Sequence, residues 1–344
     1  MATLLNRRVL QFTQLALLLL TGIALSTPVS ALADEVPISA TAAEPVEPID
    51  YYKLFPELLD QADTSRNYLS KKFVTFANDI DRFFGNERDF QQSNKSVFQI
   101  DLTRVSGYNG DRNFILSARA KLSLPNTERR LHLLVETDPE KNVTGNTAQD
   151  KPVVLDKVAA PQKLSLAARY EKPQEDRWHF SSDAGIQVHI PLEPFARARS
   201  TYTLPMEQWR MIASQSIFWF NTIGAGETSQ LDFEHFLSEP VLFRASSTAT
   251  WLNDKQNFDL RQDFTVFHTL DERRAVQYQI SISGITHPHG EVSDYVALIS
   301  YRQRLHREWI FLELSPQLHF PKDKAYEPSP AISFRLGMLF DESK

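Results

Sequence analysis

The sequence predicts an all-β fold: an antiparallel transmembrane β-barrel of about 14 strands, with 12 also possible, preceded by one amphipathic helix. Three observations predict it. Apolar and polar residues alternate with a period of two through most of the chain after residue 96. The alternating segments run for about 10–14 residues, longer than soluble strands usually are and suited to tilted membrane-crossing strands. Short connections alternate with mostly longer ones.

The three C-terminal segments, 292–304, 307–320 and 330–341, show the alternation most clearly. In the last of them, apolar side chains occupy every second position from Ile332 to Phe340, with polar or small residues between them. Because side chains alternate between the two faces of a strand, each segment has one apolar and one polar face. A helix would scatter the same residues around its surface.

The first 33 residues have the three parts of a cleaved secretory signal peptide. Arg7 and Arg8 form a charged start, Leu15 to Leu25 form an apolar core, and small residues precede a cleavage point after Ala33. The apolar core is shorter than the roughly 20 residues that a membrane-crossing helix needs. We therefore expect export of the mature chain, which has no later apolar run long enough for a helical span.

Residues 34–63 are predicted to be a flexible leader, and residues 64–92 an amphipathic helix with its linker. In 64–84, apolar residues recur at a spacing of three to four, and Gly85 is a plausible stop. This helix could dock against the end of the main domain, plug the inside of a barrel, or cover it at the membrane surface.

The barrel is predicted to cover residues 93–344. Short connections such as Ser238–Pro240 and Asp271–Arg273 alternate with longer or glycine-rich ones such as Asp138–Gln162 and Thr222–Glu227, although two of that second set are short. Counted from a periplasmic start, the first set forms periplasmic turns and the second forms outward loops. Outer-membrane barrels have this asymmetry.

The polar faces are predicted to line the lumen and carry both signs of charge. Because an unpaired buried charge is costly, we expect each arginine to neutralise a carboxylate on a neighbouring strand. Such a lumen is either tightly salt-bridged or a narrow, weakly selective pore, although neighbouring arginines could also form a basic ladder. The predicted lumen-lining charges are Arg119, Arg197, Arg199, Arg244, Arg261, Arg302, Arg304, Arg335, Asp101, Asp183, Asp259, Asp263 and Glu313.

One group of residues has the composition of a catalytic triad. His179, Ser181 and Asp183 are spaced by two, so all three point to the same side of one strand. Outer-membrane phospholipases carry a similar His and Ser pair, which usually follows a glycine and faces lipid. Here Trp178 precedes the pair and the parity directs it into the lumen, so these residues are weak catalytic candidates.

Composition excludes other classes of protein. The chain has no cysteine, so an exported form would not be held by disulfides. Loss of Arg7 and Arg8 would leave 35 basic against 43 acidic residues, a net charge of −8, and no nucleic-acid partner is expected. We expect no cofactor and no metal, because no cluster of acids or cysteines accompanies His287 and His289 in their loop.

Residues 96–344 as a whole resemble a bacterial outer-membrane β-barrel protein. The final strand resembles the C-terminal signal of such proteins, but four residues follow Phe340. The segments 124–130, 218–220, 270–274 and 301–311 also resemble an uncharacterised group of proteobacterial exported proteins, a resemblance that implies fold and location but no activity. The resemblance to an outer-membrane β-barrel protein implies a Gram-negative outer-membrane location. It also implies lipid, the barrel-insertion machinery and small solutes as partners.

The sequence thus favours a passive, porin-like or structural barrel in the outer membrane. Two alternatives stay open. One is an outer-membrane hydrolase that acts on lipid through His179 and Ser181. The other is a soluble periplasmic β-domain that binds or assembles other proteins.

Overall fold

A computed structural model describes most of the predicted barrel and part of the predicted helix, all within one compact unit, Leu54–Lys344. The predicted signal peptide, the leader and positions 64–74 lie outside the described residues. The described residues are 75–85, 90, 96–107, 112–124, 130–143, 163–172, 177–188, 190–206, 208–287, 290–305 and 309–341.

Fourteen antiparallel strands close into one barrel, as predicted. Each strand pairs with its neighbours in the chain, and the last closes against the first with Phe98 opposite Phe340. The strands are β1 Val97–Gly107, β2 Arg112–Ser123, β3 Leu131–Thr137, β4 Leu164–Glu171, β5 Trp178–Val188, β6 Glu193–Pro205, β7 Trp209–Phe220, β8 Gly224–Ser238, β9 Val241–Leu252, β10 Asn257–Asp271, β11 Arg274–Ile285, β12 Glu291–Arg304, β13 Ile310–Pro321 and β14 Ser329–Asp341.

Among the described residues, two short α-helices accompany the strands. Helix α1 covers residues 75–84, which confirms the second half of the predicted helix, and Gly85 ends it with a φ of +62°. Helix α2, Pro139–Val143, lies in the β3–β4 connection and was not predicted. A single 3₁₀ turn, Lys322–Lys324, precedes β14. No helix in the described part of the chain is long and apolar enough to cross a bilayer.

The faces of the strands are inverted relative to a soluble protein. On β4, Arg169 is 1% exposed, whereas Leu166 is 42% exposed and points to the outside of the barrel. The same holds around the barrel: Phe114 and Ile280 are among many exposed outward side chains. A closed sheet with apolar residues outside satisfies its backbone without water, which lipid requires. The chain is therefore an integral membrane barrel, and the soluble alternative is wrong.

The two ends of the barrel differ. We call the end with the β2–β3, β4–β5, β6–β7, β8–β9, β10–β11 and β12–β13 connections the turn end, and the opposite end the loop end. The connection predicted at Thr222–Glu227, as longer or glycine-rich, contains two glycines but is shorter than its predicted bounds. Only residues 221–223 separate β7 from β8, because Gly224 adopts a φ of +72° that lets the chain reverse tightly.

Candidate functional site in the barrel lumen

Helix α1 lies inside the barrel, at the turn end. Its Ala77, Ile80 and Phe84 are buried in one cluster with Leu242 and Phe267 of the inner wall. Its phenylalanine rings meet rings from three strands at 5.3–5.7 Å between centroids: Phe76 with Phe236 of β8, Phe83 with Phe311 of β13, and Phe84 with Phe267 of β10. The sequence left three placements of this helix open, and in the structure it plugs the inside of the barrel.

The inner wall carries an apolar patch that matches this helix. Leu242, Phe267, Ala275 and Phe311 are buried and share the face of their strands that is otherwise polar. All four lie near the turn end. Apolar residues on the lumen side of an outer-membrane-type barrel need a covering element, because they would otherwise face water. These apolar residues on otherwise polar faces are a signal in the sequence that favours the plug.

A ring of alternating charges joins α1 to strands β7, β8 and β9. Arg244 Nη2 lies 2.5 Å from Asp81 Oδ1 of α1, and Arg244 Nε lies 2.7 Å from Glu234 Oε1. Arg210 Nε lies 2.5 Å from Glu234 Oε2, and Arg210 Nη2 lies 4.0 Å from Asp81. Arg210 also donates to Asn78 Oδ1 of α1 at 2.9 Å. We call Asp81, Arg210, Glu234 and Arg244 the helix ring; its four charges are buried and sum to zero.

The C-terminal end of α1 is held from the other side of the barrel. Arg302 of β12 donates to the carbonyl oxygen of Phe84 at 2.6 Å, and Arg119 of β2 donates to that of Gly85 at 2.7 Å. The last carbonyls of a helix have no partner within it and carry partial negative charge, so cations are favourable there. Because its contacts reach β2, β7, β9 and β12, α1 spans the lumen from one side to the other.

A second network of charges, the wall network, joins side chains of barrel strands. Asp183 of β5 accepts from Arg169 of β4 at 2.6 and 2.8 Å and pairs with Arg197 of β6. Arg197 also reaches Glu136 of β3 at 2.9 and 3.0 Å. Toward the turn end, Glu171 pairs with Lys121 of β2 and lies 3.3 Å from His132 and 3.6 Å from Arg169. These side chains are buried, so they fill this side of the lumen.

The thirteen predicted lumen charges fall into two groups. Eight are buried and five are half-buried, and Arg302 and Arg335 both approach Glu313, at 3.4 and 3.5 Å. Arg302 and Arg304 both lie over the Phe311 ring, at 4.3 and 5.5 Å from its centroid. The buried residues are Arg119, Arg197, Arg244, Arg302, Arg335, Asp101, Asp183 and Glu313; the half-buried ones are Arg199, Arg261, Arg304, Asp259 and Asp263.

Two carboxylates of the wall network, Glu136 and Glu171, were missed by the sequence analysis. Each directly follows the last residue of the clear alternation in its segment, Val135 and Tyr170 respectively. The structure extends β3 to Thr137 and β4 to Glu171. Alternation is weak at the ends of strands, so it did not indicate that these two carboxylates face the lumen.

The weak catalytic candidates are all buried in the lumen wall. The Asp183 carboxylate is held by Arg169 and Arg197. Among the described residues, no hydrogen bond joins His179 to Ser181 or to Asp183. The arrangement therefore lacks the contacts by which a base activates a serine and is itself oriented. The described residues also contain no group of three metal-ligating side chains; His287 is exposed, and His289 lies outside them.

The β3–β4 connection narrows the loop end. Glu140 of α2 accepts from Gln187 of β5 at 2.9 Å and lies 3.5 Å from Lys163, while the Val143 carbonyl accepts from Thr228 of β8 at 2.8 Å. Across the lumen, the inner faces of β9 to β11 carry half-buried hydroxyl, amide and charged groups. They are Ser246, Thr248, Arg261, Asp263 and Ser283.

No protein-family model and no curated protein matches the chain, so its resemblance to a proteobacterial exported group stays a prediction. Solved structures do match. The outer membrane channel DcaP of Acinetobacter baumannii is 9% identical, with 72% of this chain and 96% of that chain covered and a TM-score of 0.41.

A bacterial polysaccharide outer membrane secretin is 12% identical, with 72% and 99% covered and a TM-score of 0.44. A Pseudomonas aeruginosa FadL homologue is 10% identical, with 72% and 91% covered and a TM-score of 0.44. Similarity at this level says nothing about solute or activity.

Proposed function

We propose that the protein is an outer-membrane channel for small polar solutes that is closed at its turn end by α1 and opens when α1 leaves the lumen. The observation that carries the proposal is the placement of α1. Polar contacts fix it to strands on both sides of the barrel, and the lumen on its loop-end side is lined by polar groups on β9 to β11.

The contacts of α1 are of a kind that can be exchanged for water. A buried ion pair gains little net free energy, because desolvation of the two charges offsets most of their attraction. When α1 leaves, water can solvate Asp81, while Glu234 still pairs with Arg210 and Arg244. The apolar contacts of Phe76, Phe83 and Phe84 oppose this exchange, so the closed state is the resting state.

Solute selectivity follows from the charges of the lumen. Positive and negative groups are interspersed and mostly paired, so the open channel should discriminate weakly between small cations and anions. The outward loops and the turn end would face the cell exterior and the periplasm, respectively. Export through a cleaved signal peptide and folding by the barrel-insertion machinery belong to the same proposal, and cell fractionation with N-terminal sequencing of the mature chain tests them.

Single-channel recording in planar bilayers tests the gate. The mature chain is compared with a chain that lacks residues 34–92, both checked for folding by heat-modifiable migration in gels. We expect rare, brief openings from the mature chain and sustained conductance from the truncated chain. Equal conductance of the two folded proteins, or none from either, would contradict the proposal.

A reversible cross-link between α1 and β8 tests the gate without removing any residues. The ring centroids of Phe76 and Phe236 lie 5.4 Å apart, and the chain has no cysteine of its own. The double variant Phe76→Cys/Phe236→Cys can therefore be joined by a short, reducible bifunctional thiol reagent. Openings should cease after cross-linking and return after reduction. Each single variant, treated in the same way, should keep its openings.

A further inference from the structure

The outward face of β6 to β10 carries a row of polar side chains where lipid would require apolar ones. In the strand register, Ser200 lies opposite Gln215, Gln215 opposite Ser229, and Ser247 opposite Gln262. Ser229 lies opposite Ala249, so Ser229 and Ser247 are diagonal neighbours. We call Ser200, Gln215, Ser229, Ser247 and Gln262 the outer polar row.

The outer polar row lies at the middle of the membrane-facing band. Gln215 is on the same face of β7 as Trp209 and Trp219, which stand near the two ends of that strand. Tryptophans in these positions mark the two membrane interfaces of a barrel. On the opposite side of the barrel, outward positions in the middle of the strands are exposed and apolar, as at Ile299 of β12 and Leu314 of β13. The row is therefore specific to one side.

Lipid acyl chains cannot form hydrogen bonds with the side chains of the outer polar row. Within the row, Ser229 Oγ donates to Gln215 Oε1 and Ser247 Oγ donates to Gln262 Oε1, both at 2.5 Å. The amide nitrogen of Gln215 lies 3.5 Å from Glu227 Oε2, and that of Gln262 donates to the backbone oxygen of Asp263 at 3.2 Å. Each amide and hydroxyl has further capacity to donate or accept. Polar groups that face hydrocarbon without a full set of partners are costly, so this face is better placed against protein.

A groove beside the row supports the same conclusion. It has a volume of about 570 Å³ and runs over the outward faces of β4 to β7. Its lining combines small side chains with larger ones from the neighbouring positions. They include Ala168, Ala184, Ala196 and Ala198, with Tyr170 and Trp219. Small residues allow close approach of another polypeptide backbone in the membrane.

We infer that the outer face of β4 to β10 binds a second copy of this chain. Serine and glutamine side chains both donate and accept hydrogen bonds, so the row is complementary to itself, as a two-fold interface requires. The row contains no charged side chain that would call for an oppositely charged partner. The row and the groove are adjacent, so one contact can cover both. Association through this face leaves the lumen and its gate untouched.

Disulfide cross-linking in membranes tests the inference. The chain has no cysteine, so a single introduced cysteine reports one position. Gln215→Cys places it in the row, and Ile299→Cys is the control on the opposite side, also outward and exposed. After oxidation without detergent, we expect a product of twice the chain mass, several-fold more abundant for Gln215→Cys. Equal yields from both variants, or a product of another mass, would overturn the inference.

A mass measurement tests the inference without relying on whether the two introduced cysteines can form a disulfide. The unmodified protein in lipid nanodiscs should contain two chains by light scattering, and a single chain would overturn the inference. Ala196→Trp fills the groove and should give single chains. Ala297→Trp, the same change at an exposed outward alanine of β12, should leave two. Heat-modifiable migration verifies that each variant is folded, and two chains in the Ala196→Trp variant would also overturn it.

Discussion

The lumen contains two buried ionic networks that differ in one respect. The wall network around Asp183 joins β2 to β6, and the charged members that the structure describes belong to strands of the closed barrel. The helix ring around Glu234 has three members on strands and one, Asp81, on α1. Both alternate in charge and both are shielded from water. The two networks therefore use the same chemistry for different purposes. The wall network holds strands of the barrel together, whereas the helix ring holds α1, which the barrel can lose.

The largest expected effect comes from breaking the wall network. Asp183→Ala removes the carboxylate shared by Arg169 and Arg197 and leaves two guanidinium groups buried beside each other. Removal of one partner of a buried ion pair costs about 3–5 kcal/mol. Urea unfolding in lipid vesicles, followed by tryptophan fluorescence, should show a loss of this size.

A matched control tests whether the loss of stability depends on burial of the carboxylate and not only on removal of its charge. Asp259→Ala removes the same group from the lumen face of β10, where the carboxylate is 41% exposed and its partner Lys255 is 57% exposed. Pairs exposed to this degree contribute about 0–1 kcal/mol, so this variant should unfold almost like the unmodified protein. Equal losses for the two variants would mean that the wall network has no special role in stability.

The helix ring should respond differently, in gating more than in barrel stability. Asp81→Ala removes the only member of the ring on α1, and both arginines still pair with Glu234, although the ring then carries a net charge of +1. Loss of a hydrogen bond to a charged group costs about 1.5–3 kcal/mol. That energy weakens the docking of α1, so the open fraction in single-channel records should rise roughly tenfold or more. The urea midpoint of the barrel should change less than for Asp183→Ala.

Asp79→Ala is the control for this variant. Asp79 is also an aspartate of α1, but its side chain is exposed. The change removes the same charge from the same helix without touching the ring. A similar rise in open fraction for Asp79→Ala would show that helix charge in general, and not the contact with Arg244, holds the gate closed.

The two networks also show how far the sequence could predict this molecule. Alternation along single strands predicted the barrel, its strand number and which charges turn inward, because each follows from a local period of two. Which charges meet could not be predicted, since Arg197 reaches Glu136 on a strand three positions away around the barrel. That contact depends on barrel curvature, which no local pattern encodes.

The position of α1 is an intermediate case. Its amphipathic pattern predicted a helix that packs against something, and the apolar exceptions on lumen faces, such as Phe267 and Phe311, indicate where. The two signals lie in distant parts of the sequence, and only together do they predict the plug. Helix α2 had no such signal, since its five residues are too few for a periodic pattern.

The smallest expected effect concerns the C-terminal end of α1. Arg302→Lys keeps a positive charge near the Phe84 carbonyl and near Glu313 but replaces the planar guanidinium, which serves both at once. A cation at a helix C-terminus contributes about 0.3–1 kcal/mol, and the charge is retained, so the open fraction should rise by less than for Asp81→Ala. Arg302→Met removes the charge and should exceed Arg302→Lys in the same recordings. If Arg302→Lys opened the channel as much as Asp81→Ala, the carbonyl contact, and not the helix ring, would be the main anchor of the gate.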